Sequence, residues 1–369
     1  MVGHIAVLGA KGLPAKGGGE RVAEAIILSA LQKGFKVTVY GKKDYCGTVD
    51  YGPNFRLIRI RDLKGKHLSA FSFGILSAFH ALLFGDYDVV HLHYADLGFM
   101  VPLLRLRFKV VATSHGAEYN RDKWGGFAKF CLRVSEAPFV LCSNICTSVS
   151  RQLAGQYTQK YHSPVHFIPN GTDTVPVRLN EANGNGRTCS ESGDYVLFAA
   201  GRIIPSKGCD LLLQANSRSK FDTKIVIIGK IENDSYRTYL ESMPAENIEF
   251  IDFIASKEEL LKVVANARFF VFPSTYEAMS MMLLEVASLR KGIVCSDIPE
   301  NRDAIGLNAV YFKSGDSDDL SEKIRFALDN PDVMDELGRK AHGFVKTSRN
   351  WEVITPVYHD IYRALINTK

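Results

Sequence analysis

Two doubly wound α/β domains, each a parallel sheet covered by helices on both faces, are what this sequence predicts. Three observations lead there. Strand-length apolar runs alternate with helix-length segments through both halves of the chain. A polar, glycine-rich stretch at residues 180–193 separates the halves. A length of 369 residues with 46% hydrophobic content is enough for two full cores.

Taken in order, residues 1–8 read as a first strand rather than a leader. A glycine loop, Gly9 to Glu20, leads into a helix at about 19–33 and a strand at 36–40. Residues 88–93 and 110–114 are further strands, the second running directly into His115. The second half reads as strands at 195–200, 224–229, 248–253, 268–272 and 292–296, with helices between and a last helix over about 351–366. No apolar run is long enough to span a bilayer.

The segment with the most chemistry is Gly201-Arg202-Ile203-Ile204-Pro205-Ser206-Lys207-Gly208. It follows an apolar strand, with Gly201 expected to turn the backbone sharply. Arg202 and Lys207 then enter the crevice beyond the strand's carboxyl end, where open α/β sheets bind ligands. A guanidinium fork and an ammonium there suit a diphosphate, whose leaving-group charge they stabilise without a metal. A solvated surface pair is the plain alternative.

Downstream, Phe269 to Phe272 reads as a buried strand, and a helix from about Ser280 buries Met281, Met282, Leu284 and Ala287. Glu277 lies just before this helix and Glu285 inside it, so one carboxylate can meet each end of an extended ligand. The helix start, at Met279 and Ser280, offers N–H groups to phosphate. Acidic residues near a helix start are also favoured by the dipole alone, which accounts for Glu277 but poorly for Glu285 among apolar neighbours.

These two segments, Gly201–Gly208 and Glu277–Glu285, resemble the retaining glycosyltransferases of family 4, which have the GT-B fold. Gly9 to Glu20 is similar to that family's glycine-rich first loop, His115-Gly116 to its His-Gly element, and Ile168-Pro169-Asn170-Gly171 to the end of its first domain. The resemblance implies two Rossmann-like domains facing across a cleft: an acceptor-side domain at 1–170, a linker at 171–194, a nucleotide-sugar domain at 195–349, and a helix at 350–369 crossing back to the first domain. It implies that Arg202 and Lys207, with Gly17, Gly18, Gly19, Met279 and Ser280, bind the diphosphate. Glu285 would bind the ribose, and Glu277 and His115 would act at the donor sugar. Glycosyl transfer would need no enzymic nucleophile, no cofactor and no metal.

The opening loop and the segment after His115 look like a bacterial subgroup that builds cell-surface polysaccharides, including rhamnosyltransferase-like members. On that resemblance Glu20, Glu118, Tyr119, Arg121 and Trp124 could line the acceptor side. Departures from the family pattern are Ala278 and Ser280, where glycines are common, and Ile231, two positions after Gly229. A sugar-nucleotide epimerase and a non-catalytic sugar-nucleotide-binding or assembly protein stay open as alternatives. A Rossmann dehydrogenase is disfavoured, because no GxGxxG follows the first strand.

Charge adds a partner. Residues 1–170 hold 21 Lys and Arg against 11 Asp and Glu, so the first half is the basic one. Its cations gather at Arg56, Arg59, Arg61, Lys64 and Lys66 and at Arg105, Arg107 and Lys109, with the apolar segment 68–84 between. Such a surface can lie on anionic lipid, as an enzyme with a glycan or lipid-linked acceptor would need. An ordinary core helix with a solvated rim is equally open. The expected location is cytoplasmic, extending to the inner face of the cytoplasmic membrane, and nothing suggests nucleic acid.

The seven cysteines are scattered, and only Cys142 and Cys146 are close, which favours reduced thiols over zinc. His91 and His93 alternate on one strand face but lack a carboxylate at metal-ligand spacing, so a satisfied polar pair is expected there.

Overall fold

The computed structural model describes residues 3–63, 65, 68–117, 126–173, 194–244 and 246–368. The chain divides into two compact units: Met1–Asn170 with Trp351–Lys369, and Gly171–Asn350.

In the first unit, the strands are β1 (His4–Leu8), β2 (Lys36–Lys42), β3 (Phe55–Ile60), β4 (Val89–His93), β5 (Lys109–Ser114), β6 (Ile145–Ser148) and β7 (Val165–Phe167). Its helices are α1 (Gly18–Gln32), α2 (Leu68–Phe84), α3 (Val101–Leu104), α4 (Gly126–Leu141), α5 (Arg151–Tyr161) and, from the chain's far end, α13 (Trp351–Asn367). The seven strands are all parallel, in the order β3-β2-β1-β4-β5-β6-β7. Right-handed crossovers put α1 on one face and α2, α3 and α4 on the other. On the first face α13 packs beside α1: Ser29 and Thr355 share a hydrogen bond of 2.7 Å, and Tyr362 packs edge-on to Phe35.

The second unit has β8 (Tyr195–Ile203), β9 (Lys224–Ile231), β10 (Ile248–Ile251), β11 (Phe269–Phe272), β12 (Ile293–Ser296) and β13 (Val310–Phe312). Its helices are α6 (Cys209–Ser219), α7 (Asp234–Glu241), α8 (Lys257–Asn266), α9 (Met281–Ser288), α10 (Pro299–Ile305), α11 (Ser317–Asp329) and α12 (Pro331–Ser348). The six parallel strands run β10-β9-β8-β11-β12-β13. Strands with continuous apolar runs, such as Phe269–Phe272, are buried along their whole length, as a sheet covered on both faces requires.

In both sheets the chain order reverses beside the first strand, between β1 and β4 and between β8 and β11. Ligands of doubly wound sheets bind outside the carboxyl ends of the strands at such a switch point. The glycine loop follows β1, His115 follows β5, Lys207 follows β8 and Glu277 follows β11.

The structure corrects several expectations. Strand β8 does not end at Gly201 but continues to Ile203, with an irregularity between Ala199 and Arg202. Arg202 is therefore inside the strand, opposite Lys230 of β9, and Gly201 makes no sharp turn; the left-handed residue is Gly208. In α9, Leu283 to Ser288 are buried, whereas Met281 and Met282 are half-buried. Segment 68–84 is neither purely core nor purely surface. Helix α2 buries Phe73, Gly74, Ser77, Ala78 and Ala81 while exposing Leu68, Phe71, Leu76, Phe79, Leu83 and Phe84. Among the described residues no helix is long and apolar enough to cross a membrane.

Candidate functional site

At the switch point of the second unit, Lys207 closes a short 3-10 turn, Pro205–Lys207, directly after β8. Gly208 follows with φ of +67° and caps the start of α6; a Cβ there would sit 2.2 Å from the Pro273 carbonyl oxygen. This close approach brings the β8 turn against the loop after β11, and the Thr275 N–H donates to the Ser206 carbonyl at 2.9 Å. The two loops are thereby fixed together. Across them the Lys207 ammonium is ion-paired to Oε1 of Glu277, with the lysine also over the Phe272 ring. Arg202 faces Glu232 at 3.8 Å, both side chains about half exposed.

Ser280 is the N-cap of α9, its hydroxyl accepting from the Leu283 N–H at 3.3 Å, and Met279 before it is buried. One turn further in, Glu285 is almost wholly buried, and its Oε1 lies 3.2 Å from the Lys257 ammonium at the start of α8. A buried carboxylate is costly without such a partner. Glu300, at the first turn of α10, is the other notable acid. Burial raises its carboxyl above the ordinary range, and the negative charges of Asp303 and Glu277 add to this. Lys257, Glu232 and Glu300 were not apparent from the sequence, because each comes from an element distant in the chain and none stands in a motif.

In the first unit, Gly9 (φ +95°) follows β1, and a Cβ there would be 2.0 Å from the His93 carbonyl oxygen at the end of β4. Gly17 is the N-cap of α1. The glycine run proves to be shaped by the protein's own side chains. A Cβ at Gly17 would lie 2.2 Å from a Glu20 carboxylate oxygen, and one at Gly19 would lie 2.0 Å from the Tyr94 hydroxyl. Gly18 is the first residue of α1. Glu20 itself is buried, with Lys11 at 3.9 Å.

His115 follows β5, its Nε2 2.9 Å from Nδ1 of His93 and its ring stacked on His93 and tilted against Tyr94. His93 in turn lies against His91. His91 is satisfied on both nitrogens, at 2.6 Å by the Tyr362 hydroxyl and at 2.7 Å by Thr113. Burial, with the nearby His115 adding, pushes its pKa down to about 3. His93 is likewise held well below the ordinary histidine range, chiefly by burial. The expectation of a satisfied pair holds for His91 only: Nε2 of His93 is buried without a hydrogen-bond partner among the described residues. No group of three or more His, Cys, Asp or Glu that could hold a metal ion occurs among the described residues. Cys142 and Cys146 are unbridged thiols, the second buried. Glu118, Tyr119, Arg121 and Trp124 lie outside the described residues, as do Lys64, Lys66 and Cys189.

Comparison with known proteins agrees with the two-sheet architecture. The family model for Glycosyltransferase Family 4 matches residues 16–175, and that for glycosyl transferases group 1 matches residues 187–344. An uncharacterized glycosyltransferase of Methanocaldococcus jannaschii is 24% identical over 75% of this chain and 76% of its own length. The MMP α-(1→4)-mannosyltransferase of Mycolicibacterium hassiacum is 24% identical over 76% of this chain and 72% of its own. Among solved structures, sucrose-phosphate synthase from Thermosynechococcus elongatus superposes with a TM-score of 0.77 at 18% identity, covering 100% of both chains. Anabaena HepE, in complex with UDP and glucose, superposes with a TM-score of 0.75 at 14% identity over 98% of this chain and 100% of its own. The fold is thus GT-B, and the chain belongs to the glycosyltransferases, family 4 in its amino-terminal half and group 1 in its carboxyl-terminal half.

Proposed function

We propose that this glycosyltransferase moves a hexosyl or deoxyhexosyl group, with retention and without a metal, from a nucleoside-diphosphate sugar to a glycan or lipid-linked acceptor in bacterial surface-polysaccharide synthesis. The observation that carries the donor reading is the pairing of Lys207 with Glu277 at the β8–β11 switch point. The cation expected on the diphosphate and the carboxylate expected on the donor sugar are neighbours, as a sugar joined to a diphosphate requires. Arg202 and Lys207 meet the phosphates, assisted by backbone N–H groups at Met279, Ser280 and the loop of Gly17, Gly18 and Gly19. Glu285 accepts from the ribose hydroxyls. As the glycosidic bond breaks, negative charge grows on the departing diphosphate, and the two cations stabilise that charge more strongly than they do the ground state. His115 acts beside the reacting centre. The departing phosphate takes the acceptor's proton on the same face, so no side chain serves as nucleophile.

HepE binding UDP and glucose, and a mannosyltransferase relative, support a nucleotide donor and a hexose. A lipid-linked acceptor is supported by the exposed Phe79, Leu83 and Phe84 on α2, beside which Arg107 donates to the Leu82 carbonyl. Apolar side chains rimmed by arginines suit an anionic lipid surface. Glu20, Glu118, Tyr119, Arg121 and Trp124 complete the acceptor side.

The test is release of nucleotide from a panel of UDP-, GDP-, dTDP- and ADP-sugars, with and without EDTA. Release from one donor, insensitive to EDTA and lost in Lys207→Ala, is expected. Binding of none overturns the donor reading and leaves an assembly role. Transfer only to soluble acceptors, with no co-sedimentation on anionic vesicles, overturns the lipid-linked one.

A further inference from the structure

The ribose-binding carboxylate has a neighbour outside every motif. Lys257 is the first residue of α8, whose N-cap Ser256 accepts from the Glu259 N–H at 3.2 Å and so fixes where the helix begins. Its ammonium lies 3.2 Å from Oε1 of Glu285 and 3.5 Å from Oδ2 of Asp173. Asp173 is itself placed, because the adjacent Thr172 bridges to Asn350 and its N–H donates to the Arg349 carbonyl at 2.8 Å. The lysine is thus held between two carboxylates, one almost wholly buried and one exposed. The last torsion of a glutamate is a broad one, and an ammonium 3.2 Å from Oε1 favours one setting of it.

We propose that Lys257 is a positioning residue for the donor: by holding Oε1 of Glu285 it sets the carboxylate plane that accepts the ribose hydroxyls. This rests on the assignment of Glu285 to the ribose. Hydrogen bonds to a carboxylate are about twice as strong as neutral ones, so the direction in which this one faces the hydroxyls carries weight. In the proposed role Lys257 has no contact with the sugar or the phosphates, so its effect should be confined to hydroxyl recognition.

Binding is measured by calorimetry for whichever of UDP, GDP and ADP the wild type holds most tightly, and for the 2′,3′-dideoxy form of the same nucleotide. Lys257→Met is expected to weaken the ribonucleotide roughly tenfold and the dideoxy form hardly at all, and Lys257→Arg to restore most of the difference. Equal weakening of both ligands means a merely structural lysine and overturns the proposal, as does unchanged binding of both. Glu285→Gln is measured beside it. If that variant loses the preference for ribose and Lys257→Met keeps it, only the positioning role falls. If Glu285→Gln keeps the preference, the ribose assignment falls and the positioning role with it. Lys257→Gln serves the same test if the methionine variant does not fold.

Discussion

Lys207 and Glu277, 70 residues apart in sequence, are ion-paired across two loops that follow neighbouring strands. Both side chains are largely shielded from solvent. An incoming diphosphate would offer the ammonium a second anion, and the donor sugar would offer the carboxylate hydroxyls. Lys207→Ala should therefore weaken nucleoside-diphosphate binding by about 10- to 100-fold, the range for losing a charge-assisted contact of 1.5–3 kcal/mol. Titration calorimetry with UDP, GDP, dTDP and ADP checks this, and wild-type affinity in the variant would remove the clamp from the mechanism.

His115 should separate binding from turnover. It stands at the end of β5, hydrogen-bonded to His93, and belongs to a different unit from Arg202 and Lys207, the cations proposed for the diphosphate. His115→Ala is expected to lower kcat by about 100-fold or more while leaving the nucleotide Kd within about threefold, the pattern of a group acting mainly in the transition state. Steady-state kinetics beside equilibrium binding decide it. A large rise in Kd with unchanged kcat would instead make His115 a binding residue.

Gly208 should not tolerate a side chain. Its φ of +67° disfavours any L-residue, and its Cβ would press on the Pro273 carbonyl. Gly208→Ala should cost about 2 kcal/mol or more of stability, combining left-handed strain with a backbone displacement. Because Pro273 and Thr275 lead towards Glu277, nucleotide affinity should fall as well. Urea unfolding with unchanged midpoint and slope would refute the steric argument.

Acid should destabilise the first unit through its histidines. His91 titrates at about 3 in the fold against 6.5 ordinarily, so above pH 6.5 it is neutral in both states. Below that, the unfolded chain takes up a proton that the folded chain refuses. Stability therefore falls with acidity, by up to about 1.4 kcal/mol per pH unit for this one group, until the pH nears 3. His93 adds in the same direction. His91→Gln should make the fall shallower, as read from urea midpoints between pH 7 and 4.5. An equally steep fall in the variant would assign the acid sensitivity elsewhere.

Much of this architecture was legible because it is written locally. Apolar runs such as Phe269–Phe272 announce buried parallel strands, and the segments carrying Arg202, Lys207, Glu277 and Glu285 are short and ordered. What could not be read was pairing. Nothing in the sequence joins Lys257 to Glu285, Lys207 to Glu277 or Tyr94 to Gly19, since sheet order decides which strand ends become neighbours. The glycine loop shows the same limit in another form. Glycine frequency signals a close approach but not by what, and at Gly17 and Gly19 the approaching atoms belong to Glu20 and Tyr94. The turn assigned to Gly201 failed because an irregular strand pair extends past it, a feature set by β9 rather than by the local residues.

The packing of α13 against α1 and β4 also has a meaning for biosynthesis. His91 in the middle of the first sheet receives its Nδ1 partner from Tyr362 of α13, which follows the whole second unit in sequence. A growing polypeptide released from the ribosome in order would thus have its second unit available to fold while the first still lacked an outer helix, with Phe35 and His91 awaiting cover. Fragments ending near residue 170 are accordingly expected to be poorly soluble, and changes in α13 bear on the amino-terminal unit rather than on the one that precedes it in sequence.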